Sequence, residues 1–467
     1  MHQSNPGDAR HWRPRLERGA DATAYRRIVE ALERAIAAGE LRPGARLPPQ
    51  RELAPALGLS VGTVAAAYVE AERRGLVHRH VGRGTFVATA APPRRRRRRS
   101  GVIDLSTNFP PYQVADGPMR ELLGQLIRDA DVAELLGYPE PAGSRRHQEC
   151  VAAWTLRHSG FRRVAAGEFV LCNGATQALS VVLAHLLSRG DPVLCEAHTY
   201  GGYRFAAAQL GCTPVPVALD AEGVVPEALE AAAARSGARV VLLVPTLQNP
   251  TAAIASPQRR RAIVEVARRR VLWIVEDDVY GGLLEPGTHP VPLAELAPER
   301  VFHVSGISKS VAPGLRLGWV RPPADRLQAL AASMAYQTAG ANPFGCLAFA
   351  RLCETRVADE ICASIRAELG RRRALAAEVL GLDGGGAAPH LWLPLPPGQP
   401  ERIHHRMAAM GVLLTEPGAC EADGGPPAGL RACLGAAESL AELGEALHAL
   451  RGELARAAGA ATPAWGV

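Results

Sequence analysis

A chain of 467 residues, 47% hydrophobic and 21% charged, carries apolar material for roughly three globular domains of about 150 residues each. It has no run of about 18 apolar residues and no apolar signal core near its polar start, and its nine cysteines are scattered without a C-x-x-C pair; a membrane span, a secreted disulfide frame and a zinc ribbon are therefore not expected, and a cytoplasmic location is. The net charge of +7 is uneven: residues 1–100 hold 20 arginines against 9 acids, +11, and the remainder 33 cations against 37 acids, −4, so the front of the chain is the part suited to a polyanion.

Residues 1–20 are polar, arginine-rich and without periodicity, and a disordered tail is expected there. Over 21–90 the spacing predicts a small helical domain. Tyr25, Ile28, Val29, Leu32 and Ile36 recur on one helical face, which Gly39 closes. A proline- and glycine-marked connector, 41–49, leads to a short helix over 50–57 ended by Gly58. Ser60 then caps a third helix over 61–74, stopped by Gly75. Two short strands, 77–81 and 85–87, flank Gly82-Arg83-Gly84. Three helices and a hairpin in some 65 residues read as a winged helix-turn-helix, whose third helix enters the major groove of double-stranded DNA. The N-terminal residues of that helix, Ser60, Val61, Gly62 and Thr63, are then the base readers; Arg51 meets a phosphate or a base, and Arg83, beside Gly84, approaches the backbone from the wing. The competing reading is a helical cap on an enzyme with solvated arginines.

The stretch resembles the GntR family of bacterial repressors. The residues that carry the resemblance are Arg42-Pro43-Gly44-Ala45-Arg46-Leu47-Pro48, Arg51-Glu52-Leu53-Ala54, Ser60-Val61-Gly62-Thr63-Val64, Ala67-Tyr68 and Gly82-Arg83-Gly84-Thr85-Phe86-Val87. It implies DNA binding and adds Tyr68 and Gly84 to the contact set. Many members place arginine where Val61 stands, so bidentate guanine reading from that position is lost here.

Residues 91–100 form a linker: Pro92-Pro93 extends it, and the six arginines 94–99 repel one another. It either adds non-specific phosphate contacts or is simply solvated. From 101 to about 330, apolar strands alternate with amphipathic helices, the pattern of an α/β domain with a largely parallel sheet. Strands are predicted at 169–172, 193–196, 215–217, 240–244, 272–275 and 301–305, with helices at 177–187, 226–235 and 257–269.

Polar residues collect at the C-terminal ends of these strands, where open α/β sheets bind ligands. Asn173-Gly174-Ala175-Thr176 runs into a helix, and free amides at a helix start suit a phosphate. Tyr200 can stack on a flat ring, Asn249 can donate to a ring oxygen, and Asp277 and Tyr280 stand three apart. Then comes Lys309, the one lysine of the chain, followed by Arg316, which can pair with a phosphate as a fork. Lysine supplies what arginine cannot, a deprotonated primary amine for a carbonyl. The expectation is a Schiff base between Lys309 and an aldehyde cofactor; the alternative is a lysine left over in an arginine-biased composition.

The ordered set resembles the fold-type I aminotransferases, which use pyridoxal 5′-phosphate, over about 103–450, most strongly in Ser308-Lys309 with Ala312-Pro313-Gly314-Leu315-Arg316-Leu317-Gly318. The resemblance implies that Lys309 carries the cofactor, that Asp277 pairs with its ring nitrogen, and that Tyr280 and Asn249 meet its ring oxygen. Ala175, Thr176, Ser308 and Arg316 become the phosphate cup, Tyr200 the stacking ring, and Tyr138 a group that reaches the phosphate of a second subunit. Arg431 becomes the grip on a substrate or effector carboxylate, and Asn108, in Asn108-Phe109-Pro110, part of a strip closing over it. Three positions depart from the family: Gly306 replaces a serine, so that one phosphate contact is missing or shifts to Ser305; Ala175 replaces a serine; and His198 replaces a proline.

Residues 331–455 read as a smaller C-terminal lobe, with strands at 411–415 and 430–434 and a flexible glycine stretch at 384–386, and 456–467 as a disordered tail. A winged helix joined to an aminotransferase-like body is the architecture of the MocR subgroup of GntR regulators. It implies a cytoplasmic homodimer that binds operator DNA and senses an amino compound, or the cofactor itself, through Lys309. A working aminotransferase with a secondary DNA-binding head remains the rival, and a sensor for vitamin B6 alone a third.

Overall fold

The computed structural model describes residues 12–14, 24–38, 40–41, 44–73, 76–80, 84–87, 101–129, 135–382 and 386–459. They belong to two compact units, Met1–Gly101 and Val102–Val467. Arg83, the linker 91–100, most of the glycine stretch 384–386 and the segment 460–467 lie outside the described residues.

In the first unit, α1 (Ala24–Ala37), α2 (Gln50–Ala56) and α3 (Val61–Arg73) precede β1 (Val77–His80) and β2 (Gly84–Val87), which pair antiparallel. Ile28, Val29 and Leu32 of α1 bury against Leu53 of α2 and Val64, Ala67 and Tyr68 of α3, so the helical spacing of the apolar residues builds one core. Gly58, at φ +64°, makes the turn between α2 and α3. Ser60 then caps α3: its hydroxyl accepts from the Thr63 amide at 3.1 Å. The expected tail contributes to this core. Trp12 is buried in it among apolar neighbours, and residues 1–11 and 15–20 of that stretch lie outside the described residues.

The second unit contains β3 (Ile103–Asp104), β4 (Val170–Cys172), β5 (Pro192–Glu196), β6 (Thr213–Val217), a hairpin of β7 (Leu219–Asp220) and β8 (Gly223–Val224), β9 (Val240–Leu243), β10 (Trp273–Asp277), β11 (Val301–Gly306), β12 (Gly318–Arg321), β13 (His390–Pro394), β14 (Val412–Leu413) and β15 (Gly429–Cys433). Seven strands form the main sheet in the order β4-β12-β11-β10-β9-β5-β6. Only β12 runs against its neighbours. Successive residues of β9 serve opposite faces: Val240 and Leu242 pack with the helix Ala175–Leu186, Val241 and Leu243 with the helix Pro257–Arg270. Both faces are covered, which is why the strand is apolar throughout and does not alternate.

The smaller lobe pairs β13 with β15 and β14 with β3, under the helices Val357–Leu380, Gln399–Ala409 and Leu440–Gly459. Three borders differ from those expected. The start of the body, β3, joins the C-terminal lobe, because Val412 and Leu413 offer it an edge. The border at 330 falls inside the helix Leu327–Thr338. The helix Leu440–Gly459 continues past 455, since Leu443, Leu447 and Leu450 hold it on the lobe core and Glu453 keeps Arg456 at 2.5 Å.

Close backbone approach brings β12 under the start of the helix Ala175–Leu186. A Cβ on Gly318 would stand 2.5 Å from the amide nitrogen of Ala175 and 2.6 Å from the carbonyl carbon of Gly174. Neither is the end of a flexible side chain. Gly318→Ala is expected to lower stability by about 1–3 kcal/mol, read from the midpoint of urea unfolding, because backbone must shift to admit the methyl group.

Candidate functional site

A cavity of about 410 Å³ opens at the C-terminal ends of β4, β9, β10 and β11. It gathers eleven of the twelve ligand-site residues the sequence singled out. Ala175 and Thr176 lie at one end, Lys309 with Asp277 and Tyr280 in the middle, and Arg431 with Asn108 at the other; Tyr200, Asn249, Ser308 and Arg316 line it too. Tyr138 is the exception: it is 93% exposed and lines a separate cavity of about 190 Å³ with Pro139 and His147.

The phosphate end is built from backbone. Gly174, at φ +88°, precedes the helix Ala175–Leu186, and no side chain caps its first turn, so those amides are left for a ligand. Arg316 folds over the same turn, its Nη2 donating to the Asn173 carbonyl at 3.3 Å. Gly306 has no room for the family's serine, since a Cβ there would lie 2.9 Å from the Leu317 carbonyl oxygen and 3.1 Å from the Gly318 Cα. Ser305 does not take its place. Its side chain is buried away from the cavity and its hydroxyl donates to the Asp278 carbonyl at 3.0 Å.

In the middle, Lys309 Nζ donates to the Asn108 carbonyl at 2.5 Å. Burial lowers its pKa to about 8, and the guanidinium groups of Arg431 and Arg316 push the same way against Cys433 and Asp277. Asp277 accepts from the Tyr203 hydroxyl at 2.9 Å and from the Val279 amide at 3.2 Å. Burial raises its pKa to about 6 in spite of these donors. A cationic ring nitrogen beside it would reverse that shift, since an opposite charge at hydrogen-bond range favours the carboxylate. The Tyr280 oxygen receives Nδ2 of Asn108 at 2.9 Å and Nδ2 of Asn249 at 3.2 Å. Burial pushes its phenol far up, so it keeps a proton, and with both acceptor positions filled that proton is free to point at a ligand.

Arg431 completes the set. It donates to Asn249 Oδ1 at 2.7 Å, to Thr415 Oγ1 at 3.1 Å and to the Ser106 carbonyl at 3.3 Å, with no carboxylate among these partners. Lys309, Arg316 and Arg431 thus face the cavity against the one carboxylate of Asp277, a balance suited to a ligand carrying phosphate at one end and carboxylate at the other. A phosphorylated pyridine aldehyde fits these residues by its chemistry: uncapped amides and Arg316 for the phosphate, a lysine of lowered pKa for the aldehyde, a buried carboxylate for the ring nitrogen, and a proton-bearing phenol for the ring oxygen.

Two contributors were missed from sequence. Tyr203 carried a usable signal, because it lies three residues beyond Tyr200, in the first turn of the helix Gly201–Leu210 that Tyr200 precedes. His390 carried none, since it arrives from the other lobe on β13. Its Nδ1 is 2.9 Å from Asn108 Nδ2 and its Nε2 is 3.0 Å from the Gln248 carbonyl.

In the first unit Arg51, Ser60, Val61 and Gly62 are exposed at the start of α2 and α3, and Thr63 is half-buried. Tyr68 does not belong with them. It is 1% exposed and its hydroxyl donates to the Pro48 carbonyl at 2.8 Å, so it is a core residue that ties α3 to the connector. Gly84 is partly buried at φ +113°, where a Cβ would stand 3.0 Å from Arg46 Nε.

Comparison with known proteins gives two family matches: residues 24–87 match bacterial regulatory proteins of the gntR family, and residues 100–450 match aminotransferase class I and II. The uncharacterized HTH-type transcriptional regulator YdeF of Bacillus subtilis is 31% identical over 317 residues, 67% of each chain. The probable rhizopine catabolism regulatory protein MocR of Rhizobium meliloti is 27% identical over 336 residues, 66% of this chain and 67% of that one. Among solved structures, the α-aminoadipate aminotransferase LysN of Thermus thermophilus, complexed with N-(5′-phosphopyridoxyl)-L-leucine, superposes with a TM-score of 0.69 at 23% identity, covering 77% of this chain and 94% of its own.

Proposed function

The chain belongs to the aminotransferase class I and II family and, with its GntR-type DNA-binding helix-turn-helix, to the MocR subgroup of transcription regulators; from that premise we propose that it holds pyridoxal 5′-phosphate on Lys309 and alters its grip on operator DNA when an amino compound displaces the lysine. When bound, that cofactor supplies an aldehyde that condenses with primary amines and a ring that withdraws electrons. The observation that carries the reading is the meeting of the lone lysine, depressed to about 8, with Asp277, Tyr280 and an uncapped helix start in one cavity.

The residues divide the work. The Ala175 and Thr176 amides with Arg316 and Ser308 bind the phosphate, Tyr200 stacks on the ring, Asp277 keeps the ring nitrogen protonated, and Tyr280, steadied by Asn249, donates to the ring oxygen. Arg431 takes the effector's carboxylate by letting go of Asn249 Oδ1, which couples effector binding to the Tyr280 group. Tyr138, exposed on the monomer, reaches the phosphate site of a second subunit in a homodimer. Arg51 and Ser60 to Thr63 meet the DNA, and the cytoplasm, where operator DNA lies, is the place of action. A ligand moves the DNA-binding units only through its different affinity for two arrangements of the body.

The rate at which the protein captures pyridoxal 5′-phosphate is expected to rise about tenfold per pH unit up to about 8 and to level off above it, because only the neutral amine attacks. Stopped-flow absorbance measures this, and a rise continuing to pH 10 would mean that burial does not activate Lys309.

The function itself is tested by offering the holoprotein DNA from its own promoter region, with and without a panel of amino acids, and by assaying the same panel with a keto acid. Retarded DNA whose midpoint shifts with one amine supports regulation. Rapid turnover without retardation points to the rival reading, an aminotransferase with a secondary head, which the convergence of Lys309, Asp277, Tyr280 and Arg431 also favours.

A further inference from the structure

His390 is wholly buried where three parts of the second unit meet. It begins β13 in the smaller lobe; Gln248 and Tyr280 belong to the main-sheet domain; Asn108 lies on the strip that follows β3. Its Nε2 faces the Gln248 carbonyl at 3.0 Å, so that nitrogen carries the proton and Nδ1 accepts from Asn108 Nδ2 at 2.9 Å. Burial holds the ring's pKa down at about 3, so it stays neutral and keeps this tautomer. The ring also packs edge-on against Tyr280, with centroids 5.6 Å apart at 68°.

Asn108 is therefore a junction. Its carbonyl holds the Lys309 amine, its Nδ2 is shared between Tyr280 and His390, and its Oδ1 is buried without a donor. When the Lys309 nitrogen is taken up by an aldehyde it loses donor capacity, and the Asn108 carbonyl loses its partner. The next link is β13, because it pairs with β15: His390 stands opposite Cys433, and Trp392 opposite Arg431.

We propose that His390 is a positioning residue through which the smaller lobe senses whether the Lys309 amine is free, passing that state along the β13–β15 pair to Arg431. The inference rests on the reading of Lys309 given above and adds the route by which its state leaves the cavity.

The test is amide hydrogen exchange of the full chain with and without pyridoxal 5′-phosphate, the visible band reporting capture. In the unaltered protein, capture is expected to speed exchange across β13 about tenfold, the change in opening equilibrium that loss of one hydrogen bond entails. His390→Phe keeps the packing on Tyr280 but has no acceptor for Asn108; it is expected to form the band and to show no exchange response. His390→Asn places an oxygen near the former Nδ1 and is expected to restore the response. If His390→Phe does not fold, His390→Leu makes the same cut and leaves Asn108 bonded to Tyr280, and it too is expected to form the band without the response. A response like that of the unaltered protein in His390→Phe or His390→Leu overturns the inference, as does an unaltered protein that forms the band with β13 unmoved. An unaltered protein that forms no band overturns instead the reading of Lys309.

Discussion

Lys309→Ala is expected to abolish the visible absorption band that the protein acquires with pyridoxal 5′-phosphate, and borohydride is expected to leave no phosphopyridoxyl adduct on the variant in a mass spectrum. The argument begins with composition: no other lysine exists in the 467 residues, and the 52 arginines stay protonated and cannot condense with an aldehyde. Folding is expected to survive, because the side chain lines an open cavity and, among the described residues, bonds to the Asn108 carbonyl and to no core side chain. Arg316 and the uncapped helix start remain, so weak, salt-sensitive phosphate binding should persist without the band. Lys309→Arg, which restores the charge and not the nucleophile, is expected to behave like alanine. A band of normal height in either variant would move the chemistry to another group.

The largest stability loss is expected from Arg260→Ala, about 3–5 kcal/mol, as for other cases in which one member of a buried ion pair is removed. Arg260 is 0% exposed. It donates to the carbonyls of Ala255 and Pro245 at 3.0 and 2.8 Å, to Thr246 Oγ1 at 2.7 Å and to Glu276 Oε1 at 3.4 Å. The Glu276 carboxylate also accepts the Leu293 and Ala294 amides, each at 2.9 Å. Truncation would leave that buried carboxylate, directly before Asp277 in the chain, with no cation and the Ala255 carbonyl with no donor, while the Pro245 carbonyl keeps only the Ala255 amide. Denaturant unfolding measures the loss. The double variant Arg260→Met/Glu276→Gln, which removes both charges, is expected to recover a large part of it; a double variant no better than the single would mean that the carbonyl and hydroxyl bonds of Arg260, and not the orphaned charge, dominate.

Much of the site was legible before any coordinates because the fold makes it so. In an open α/β sheet the strand ends are where chain order becomes spatial neighbourhood, so Ala175, Tyr200, Asn249, Asp277 and Lys309 converge once the strands are recognised. In the DNA-binding unit the same logic located α3 and its cap, and it failed at Tyr68, because a helical pattern tells which face is apolar but not whether an aromatic at its margin ends in solvent or against a carbonyl. It failed at Trp12 for a related reason: a lone aromatic in a polar stretch has no period to read.

From residue types and their spacing alone came the candidate nucleophile, the two-part architecture and the strand-end constellation, since local periodicity and unique chemistry are written along the chain. Tertiary structure decided what depends on approach between distant segments: that Gly306 and Gly318 leave no space for a side chain under the phosphate end, that Ser305 faces away, that Asn249 bridges Tyr280 to Arg431, and that His390 meets Asn108 across 282 residues. Hydrogen bonds and burial act over a few ångströms, and distance along a sequence does not measure that.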